Sequence, residues 1–504
     1  DRQVEKRQLA HGRFTPTAAP ATAEYVDRHT LEQMHRRTLT LLRREVRPVP
    51  FTAYADFLAR WQHLHPDERL KGAGALRQAL QQLRAAPVVG RIWERDVLPL
   101  RLDHYQTQAL AALCQSGELI WVGSGGIDPR RGRIRFLFRG EGSVYLEPAP
   151  TDLTTLSAEA QTVYSFLKSE GAVFLADIRA GLSLAETDAE RALLELAMAG
   201  LVTNDSLAAL QRIIQGGTPR PPTPPRPYSS LEAQLAERMG SRLERHGSVR
   251  QPSRSEMQAA RRRIRNRLEQ ESEVALPTPQ EGRWTLVHRF GILGKPLPLA
   301  EQVAQQARQL LARYGVVTHE SLENEIGAWD WSLIYQELQR LELRGEVRRG
   351  YFVQGLAGVQ FALPEVVERL RAETLTNDES ATDALVLMNA CDPANLYGPA
   401  AADGPQTITG EPLTFARIPS TWLVQQRGLP ALLLEDTGAQ LTTVQGADEG
   451  LVRRAIQRWL AHLATFEHRV TVTQWNGSPV LNSPGQPLLE SLGFYRDYPG
   501  MTWG

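Results

Sequence analysis

The side chains best suited to chemistry in this sequence are arginines grouped with an aromatic residue. Arg344, Arg348 and Arg349 precede Tyr351 in the segment "LRGEVRRGYFV". A guanidinium is a planar fork of N–H donors that matches the oxygens of a phosphate. The spacing therefore predicts phosphate contacts at these four residues. An exposed strand edge protected by charge is the open alternative.

A second basic run, "RRRIRNR", covers Arg261 to Arg267 and begins with Arg261, Arg262 and Arg263. It follows the proline-rich segment Gly216 to Ser230, which cannot form a helix or a central strand and is interpreted as an interdomain linker. Two interpretations of the basic run stay open. It is either a strip along a phosphate backbone or a solvated helix or connecting arm.

The sequence lacks the motifs that several kinds of catalytic site require. The segment "GILGKPLP" (Gly291 to Pro298) has the wrong spacing for a phosphate-binding loop, and Pro296 stands where a Mg²⁺-binding Ser or Thr is needed. The glycines of "GSGGID" join two predicted strands, so they are interpreted as a turn rather than a dinucleotide loop. His63 and His65 have no metal-ligand partner at a typical spacing. We expect no metal and no cofactor in this chain.

Composition describes an ordinary globular chain of several domains. The 504 residues carry 57 basic and 57 acidic side chains, so any nucleic-acid surface must come from local charge segregation. This length suggests about three to five domains. Two cysteines and the lack of a long apolar stretch indicate a reducing compartment and no membrane partner. We expect a cytoplasmic protein, and the opening "RQLAHGRFTP" suggests a fragment of a longer one.

A repeated local pattern indicates the fold. Three times an amphipathic helix is followed by a leucine, three residues, a glycine and an extended apolar segment, with glycines at Gly117, Gly200 and Gly345. Glycine fits the left-handed position that closes a helix. In the third copy Leu299 to Tyr314 has apolar residues near the helical period, and "GEVRRGYFVQGLAGVQFALP" predicts two strands around turn glycines. Three helices and a hairpin are the plan of a winged helix.

The sequence therefore predicts an α+β fold of tandem winged-helix domains followed by a β-rich, barrel-like C-terminal domain. In that last third, alternating segments such as "ALVLMN", "TWLVQQ" and "PALLLED" are typical of strands. The predicted ranges are 1–24 (the tail of a preceding winged helix and a linker), 25–150, 151–215 and 285–375 (winged helices), 216–284 (linker and basic arm) and 376–504 (the C-terminal domain).

Four segments resemble the C-terminal region of the bacterial large helicase-related proteins (Lhr). They are Arg36 to Gln62, Ile92 to Tyr105, Gly345 to Pro364 and "DPANLYG" at Asp392 to Gly398. The resemblance covers nearly the whole chain in order. It implies the accessory half of a bacterial, nucleoid-associated superfamily 2 DNA helicase. ATP and Mg²⁺ are then expected only at the motor, which is not in this chain.

The same region is similar to the AlkZ-type DNA glycosylases, which use a Q-Φ-D motif. The nearest match is Gln82, Leu83 and Arg84, which lacks the carboxylate. A glycosylase needs a carboxylate or a positioned water to stabilise the oxocarbenium-like sugar as the flipped base departs. The candidates are therefore Asp497, Asp392 and, as a helper, Gln82.

Asp497 and Asp392 each have a plain structural alternative. Tyr495, Tyr498 and Trp503 surround Asp497 in sequence and are predicted to stack on an extruded base, but a terminal aromatic cluster is also typical of ordinary packing. Asp392 has the alternative role of capping the turn before Pro393.

The main hypothesis is a DNA-binding accessory module of a DNA-repair helicase that itself excises uracil or an alkylated base without metal. Its partners are DNA and the helicase core of the same polypeptide, with a homo-oligomer as a further expectation. The alternative is a non-catalytic scaffold for oligomerisation, which the acidic helix of the second copy favours. A regulator that reads a palindrome is a weaker third hypothesis, because no helix combines base-reading side chains.

Overall fold

The computed structural model describes residues 9–12, 24–44, 47–125, 132–148, 150, 152–214, 282–375, 384–399 and 404–504. The strands of this part are β1 (Leu9–Gly12), β2 (Glu24–Asp27), β3 (Val88–Val89), β4 (Leu119–Ser124), β5 (Arg133–Phe138), β6 (Val202–Asn204), β7 (Trp284–Leu286), β8 (Val316–Val317), β9 (Arg348–Gly350), β10 (Gln360–Ala362), β11 (Leu385–Asn389), β12 (Trp422–Gln426), β13 (Leu429–Glu435), β14 (Gln440–Thr443), β15 (Val470–Val472), β16 (Gln474–Trp475), β17 (Ser478–Pro479), β18 (Tyr495–Asp497) and β19 (Gly500–Trp503).

The α-helices of this part are α1 (Arg28–Arg44), α2 (Phe51–Trp61), α3 (Ala75–Gln82), α4 (Leu98–Arg101), α5 (Thr107–Gln115), α6 (Gly142–Tyr145), α7 (Ala158–Glu170), α8 (Leu175–Leu182), α9 (Glu186–Met198), α10 (Leu207–Ile214), α11 (Phe290–Leu293), α12 (Leu299–Tyr314), α13 (Trp331–Leu343), α14 (Pro364–Leu375), α15 (Glu449–Leu463) and α16 (Gly485–Ser491). A π-helix covers Trp93–Val97, and 3₁₀ turns cover Pro66–Glu68, His319–Asn324 and Asp436–Gly438.

The chain divides into two compact units. One contains Asp1–Tyr105, Glu141–Glu147 and Gly294–Gly504, and the other contains Gln106–Gly140 and Pro148–Leu293. Neither unit is a continuous range, so the division does not test the six ranges that the sequence suggested, and those ranges stay predictions. Every helix among the described residues is too short or too polar to span a lipid bilayer.

The third copy of the repeat, in the first unit, has the winged-helix plan. Helices α12 and α13 pack against a three-stranded antiparallel sheet of order β8-β10-β9, and Leu322 of the 3₁₀ turn between them packs against the same core. The apolar stripe of α12 is confirmed, because all five of its members are buried in the core of this copy: Val303, Ala307, Leu310, Leu311 and Tyr314. The predicted hairpin is also confirmed as β9 and β10.

The three repeat glycines have the backbone conformation that the pattern predicted. Gly117, Gly200 and Gly345 have φ values of 72°, 73° and 76°, which lie in the left-handed region. Each lies two positions after the last residue of its helix, which is α5, α9 and α13 respectively. A side chain at these positions would strain the turn that leads each helix into the next segment.

The second copy of the repeat lies in the second unit. Helices α7, α8 and α9 form its helical part, and β6 follows α9. The partner of β6 is β7, with Thr203 opposite Thr285, and not a neighbouring strand in sequence. Trp284–Leu286 therefore belongs with the second copy. The same unit holds α5 and the antiparallel pair of β4 and β5, and the Thr203 hydroxyl donates to the Trp121 carbonyl at 2.7 Å.

The C-terminal part of the first unit is built on a six-stranded sheet of order β11-β12-β13-β14-β16-β17. Neighbours are antiparallel except β14 and β16. Helix α15 packs on this sheet and buries Trp459 against it. Every residue of β11 is buried, so both faces of this strand are covered. A second sheet has the order β15-β19-β18.

The strands predicted for the last third are confirmed, but the barrel-like closure is wrong. The described sheet is open: it ends at β11 on one side and at the two-residue β17, which contains Pro479, on the other. Proline lacks an N–H donor and is typical of a strand that ends a sheet. Helix α15 covers the apolar face of this sheet, which closure into a barrel would otherwise bury.

Candidate nucleic-acid interface and catalytic carboxylates

The wing of the third copy presents its arginines together with carboxylates. Arg344 follows the last turn of α13 and lies 3.7 Å from Glu346, while Arg348 on β9 donates to Glu368 at 2.7 Å. Such exposed pairs contribute only about 0–1 kcal/mol, so each arginine can exchange its carboxylate for a phosphate at small cost. The neighbouring acids nevertheless reduce the positive potential of the wing.

The other two predicted wing residues differ in exposure. Arg349 lies 3.5 Å from the buried carboxylate of Glu342, whose side chain is 4% exposed. Tyr351 is 62% exposed. The wing therefore offers an exposed ring beside arginines that already have acidic partners. Their predicted phosphate contacts stay predictions.

The predicted contacts at Arg261, Arg262 and Arg263 lie outside the described residues.

Gln82, at the end of α3, lies in the packing between helices. Its side-chain amide donates to the Trp61 carbonyl at 2.8 Å and to the Ala312 carbonyl at 3.3 Å. Its own backbone carbonyl accepts from the Gln309 side chain at 2.8 Å. These bonds join α2, α3 and α12. The geometry favours a structural role for Gln82, and its predicted helper role has no added support.

Asp392 is held inside the first unit by a buried arginine. Both of its carboxylate oxygens accept from Arg101 at 2.7 Å, and both side chains are 0% exposed. The backbone N–H of Ala394 donates to Asp392 Oδ1 at 2.9 Å, which is the turn-capping bond that the alternative interpretation expected. Arg101 also donates to Gln62 Oε1 at 2.9 Å. A DNA substrate cannot reach this carboxylate, so the geometry favours a structural ion pair over the predicted catalytic role.

Asp497 lies at the end of β18, in the hairpin that β18 forms with β19. Its Oδ2 accepts from Arg469 at 2.8 Å and from the Thr502 hydroxyl at 3.0 Å. The side chain is 42% exposed, and Oδ1 has no hydrogen-bond partner in the described part of the chain. This carboxylate is therefore oriented through one oxygen and open to solvent through the other.

Two tyrosines flank this carboxylate and are exposed to solvent. Tyr498 is 90% exposed and Tyr495 is 50% exposed. Exposed rings of this size are suited to stacking on a base. Trp503 does not share this exposure, because it packs against the apolar core of the unit. The prediction that it stacks on an extruded base is therefore not supported.

No sequence pattern pointed to a second buried carboxylate, Asp96 of the π-helix. Five donors reach it: Arg95 Nε and Nη2, Asn389 Nδ2, Trp422 Nε1 and His462 Nε2, at 2.6–3.2 Å. Burial alone would raise the pKa of Asp96, but the hydrogen bond from His462 and the charge of Arg95 outweigh it and hold this pKa below its usual range.

The partners of Asp96 indicate a structural role. They are far apart along the chain, which explains why no sequence pattern pointed to this residue. They come from the π-helix, β11, β12 and α15, so the carboxylate joins four elements of the first unit. The Arg95 guanidinium also lies over the rings of Trp422 and Phe466, at 4.7 and 5.2 Å. π-Helical turns are frequent at functional sites, but five donors leave this carboxylate no free acceptor position.

Two separate segments of this chain match domains of the same protein family. Winged-helix domain models of the large helicase-related proteins match residues 49–139 and 296–382. A Mycolicibacterium smegmatis protein named "Lhr helicase/ probable uracil glycosylase" is 30% identical over 410 residues, which are 78% of this chain and 24% of that protein. An Escherichia coli protein named "Lhr helicase/uracil glycosylase" is 24% identical over 502 residues, which are 95% of this chain and 30% of that protein.

The chain spans about a quarter to a third of the length of these curated relatives. Among solved structures, the DNA glycosylase AlkZ of Streptomyces sahachiroi is similar with a TM-score of 0.43 and 14% identity, over 83% of this chain and 96% of that one. A likeness at this TM-score does not define the fold. The two winged-helix matches and the two relatives show that this chain belongs to the large helicase-related (Lhr) family.

Proposed function

We propose that this chain is the DNA-binding module of a DNA-repair helicase and that it excises a base from DNA. The observation that carries the proposal is Asp497, a carboxylate with one oriented oxygen and one free oxygen, set between exposed tyrosines. The names of the two relatives, which combine helicase and uracil glycosylase, favour uracil as the base. The helicase core of the same polypeptide is then the natural partner, and ATP and Mg²⁺ belong to that core.

The proposed reaction breaks the bond between C1′ of deoxyribose and the base nitrogen. Water adds to C1′, the bonding electrons and a proton go to the base, and an abasic site remains. The free oxygen of Asp497 faces the positive charge that develops on the sugar, while Arg469 and Thr502 hold the other oxygen in place. Tyr498 stacks on the extruded base.

This reaction needs no cofactor from the chain. Within the described residues, no group of three or more His, Cys, Asp and Glu side chains could hold a metal ion. The expectation that no metal is required is tested directly by excision in the presence of a chelator.

The experiment is excision from a uracil-containing oligonucleotide, followed by alkaline cleavage of the abasic site. Asp497→Asn is expected to lower the single-turnover rate about 100-fold or more, and Tyr498→Ala about tenfold. The matched control is Glu449→Gln, which removes another exposed carboxylate that pairs with an arginine, Arg453. It is expected to react like the parent chain.

Two results would contradict the proposal. A parent chain that binds DNA but releases no base has no glycosylase activity, and an Asp497→Asn variant that reacts at the parent rate places the chemistry elsewhere. Exposed ion pairs contribute little to stability, so loss of folding does not confuse the result. The oligomerisation scaffold gains no support from the comparisons, and a nucleoid-associated, cytoplasmic location stays a prediction.

A further inference from the structure

An open groove in the first unit collects three arginines that the proposed reaction does not use. It has a volume of about 470 Å³ and is lined by Pro66, Arg69, Ala384, Leu385, Arg454 and Arg458. The 3₁₀ turn at Pro66–Glu68, the start of β11 and one face of α15 form its walls. The lining contains three cationic side chains and no acidic one.

The positions of Arg454 and Arg458 bring like charges together. They are four residues apart on α15 and therefore lie on the same face of the helix. Burial and the positive charge of Arg69 lower the pKa of Arg458 to about 10. Such an arrangement of like charges is unfavourable without an anion nearby.

Two of the three arginines, Arg69 and Arg458, form no ion pair within the described residues, although the charge of Asp103 partly offsets the lowering of the Arg69 pKa by burial. Neither Arg69 nor Arg458 has a carboxylate within ion-pair distance among the described residues, and Arg69 Nε is buried without a hydrogen-bond acceptor. The neighbouring Arg453 shows the ordinary situation, because it donates to Glu449 at 2.9 Å. Among the described residues, the groove thus holds at least one guanidinium N–H, that of Arg69 Nε, without an internal acceptor.

We propose that this groove binds a phosphate of the DNA backbone, which rests on the DNA binding proposed above. Guanidinium groups bind phosphate oxygens with paired N–H donors, and a phosphate supplies several acceptors to neighbouring arginines at once. The groove is open, so a strand can pass through it. Pro66 and Ala384 offer apolar surface to a deoxyribose next to the bound phosphate.

The test measures binding of a labelled, undamaged duplex at a series of salt concentrations. Each phosphate contact contributes about −0.9 to the slope of log affinity against log salt, which corresponds to about eightfold in affinity at 0.1 M salt. Arg458→Gln and Arg69→Gln are each expected to lower the slope by about 0.9 and the affinity by about that factor. Arg453→Gln, on the same helix, is the matched control and is expected to leave the slope unchanged.

A second measurement identifies the source of the phosphate. Inorganic phosphate, compared with chloride at equal ionic strength, is expected to compete with DNA in the parent chain and not in Arg458→Gln. If inorganic phosphate raises the melting temperature of the parent only, while the DNA slopes of all variants match the parent, the groove binds a small anion and the proposal is wrong. Unchanged slopes without any phosphate effect also overturn it.

The failure of this proposal is distinguishable from failure of the proposed function. The duplex carries no uracil, so excision does not enter the measurement. A chain that binds no DNA at any salt concentration refutes both proposals, whereas normal binding and excision with unchanged slopes refute the groove alone. Circular dichroism of each variant establishes that folding is retained.

Discussion

Replacing Asp392 by Asn is expected to destabilise the first unit strongly while leaving base excision intact. The parent carboxylate accepts two bonds from Arg101 at 2.7 Å, and both side chains are 0% exposed. Asn removes the negative charge and turns a donor toward the guanidinium, so Arg101 becomes a buried cation without an anion. Breaking a buried pair in this way costs about 3–5 kcal/mol.

Urea unfolding followed by tryptophan fluorescence measures this cost, because Trp422 and Trp459 are buried in the same unit. For an m-value of about 3 kcal/mol/M, the midpoint is expected to fall by about 1 M or more. Asp497→Asn makes the same chemical change at an exposed pair and is expected to cost under about 1 kcal/mol. Adding Arg101→Met to Asp392→Asn removes the unpaired cation and is expected to restore part of the stability.

The result that refutes this reasoning is an Asp392→Asn variant whose midpoint equals that of the parent. The Arg101 charge would then be compensated by groups other than Asp392. Excision by this variant, measured well below its unfolding temperature, is expected to match the parent. A variant that is fully folded but inactive would instead give Asp392 a catalytic role that its burial does not suggest.

Two further predictions concern a pH dependence and the wing. The folded-state pKa of Asp96 lies below its unfolded value of about 3.8. The contribution of this carboxylate to stability is therefore complete above that value and is lost as pH falls through the folded pKa. Urea midpoints measured from about pH 6 to about pH 3 should fall more for the parent than for Asp96→Asn. Glu368→Gln leaves Arg348 without its acidic partner, so DNA binding should tighten and its salt slope should steepen by up to about 0.9, whereas Glu365→Gln on the same helix should change neither.

Local features of the fold could be predicted from the sequence. The three glycines after α5, α9 and α13 have the left-handed φ values that the repeated pattern required. The strands of the last third were recognised because their apolar runs are bounded by turn residues. These patterns depend on residues that are neighbours within one helix, strand or turn. They can therefore be recognised without knowledge of the tertiary fold.

Pairings between distant residues could not be predicted in this way. Strand β6 pairs with β7, although about 80 residues separate Val202 from Trp284 along the chain. Asp96 and His462 are 366 positions apart, and no motif connects them. The prediction that the last third closes into a barrel was wrong for a related reason. Alternation of apolar and polar residues does not indicate whether a sheet closes or is covered by a helix.

Three aspartates that sequence patterns do not distinguish differ in exposure and in the number of hydrogen bonds that their carboxylates accept. Asp96 accepts five hydrogen bonds and Asp392 accepts three, and both are buried, so their charges are already neutralised by the protein. Asp497 accepts two, both on one oxygen, and is exposed. A carboxylate stabilises a developing cation only with an oxygen that has not been committed elsewhere. Of these three residues, Asp497 alone meets that condition among the described residues, which is why we place the proposed chemistry at its remaining oxygen.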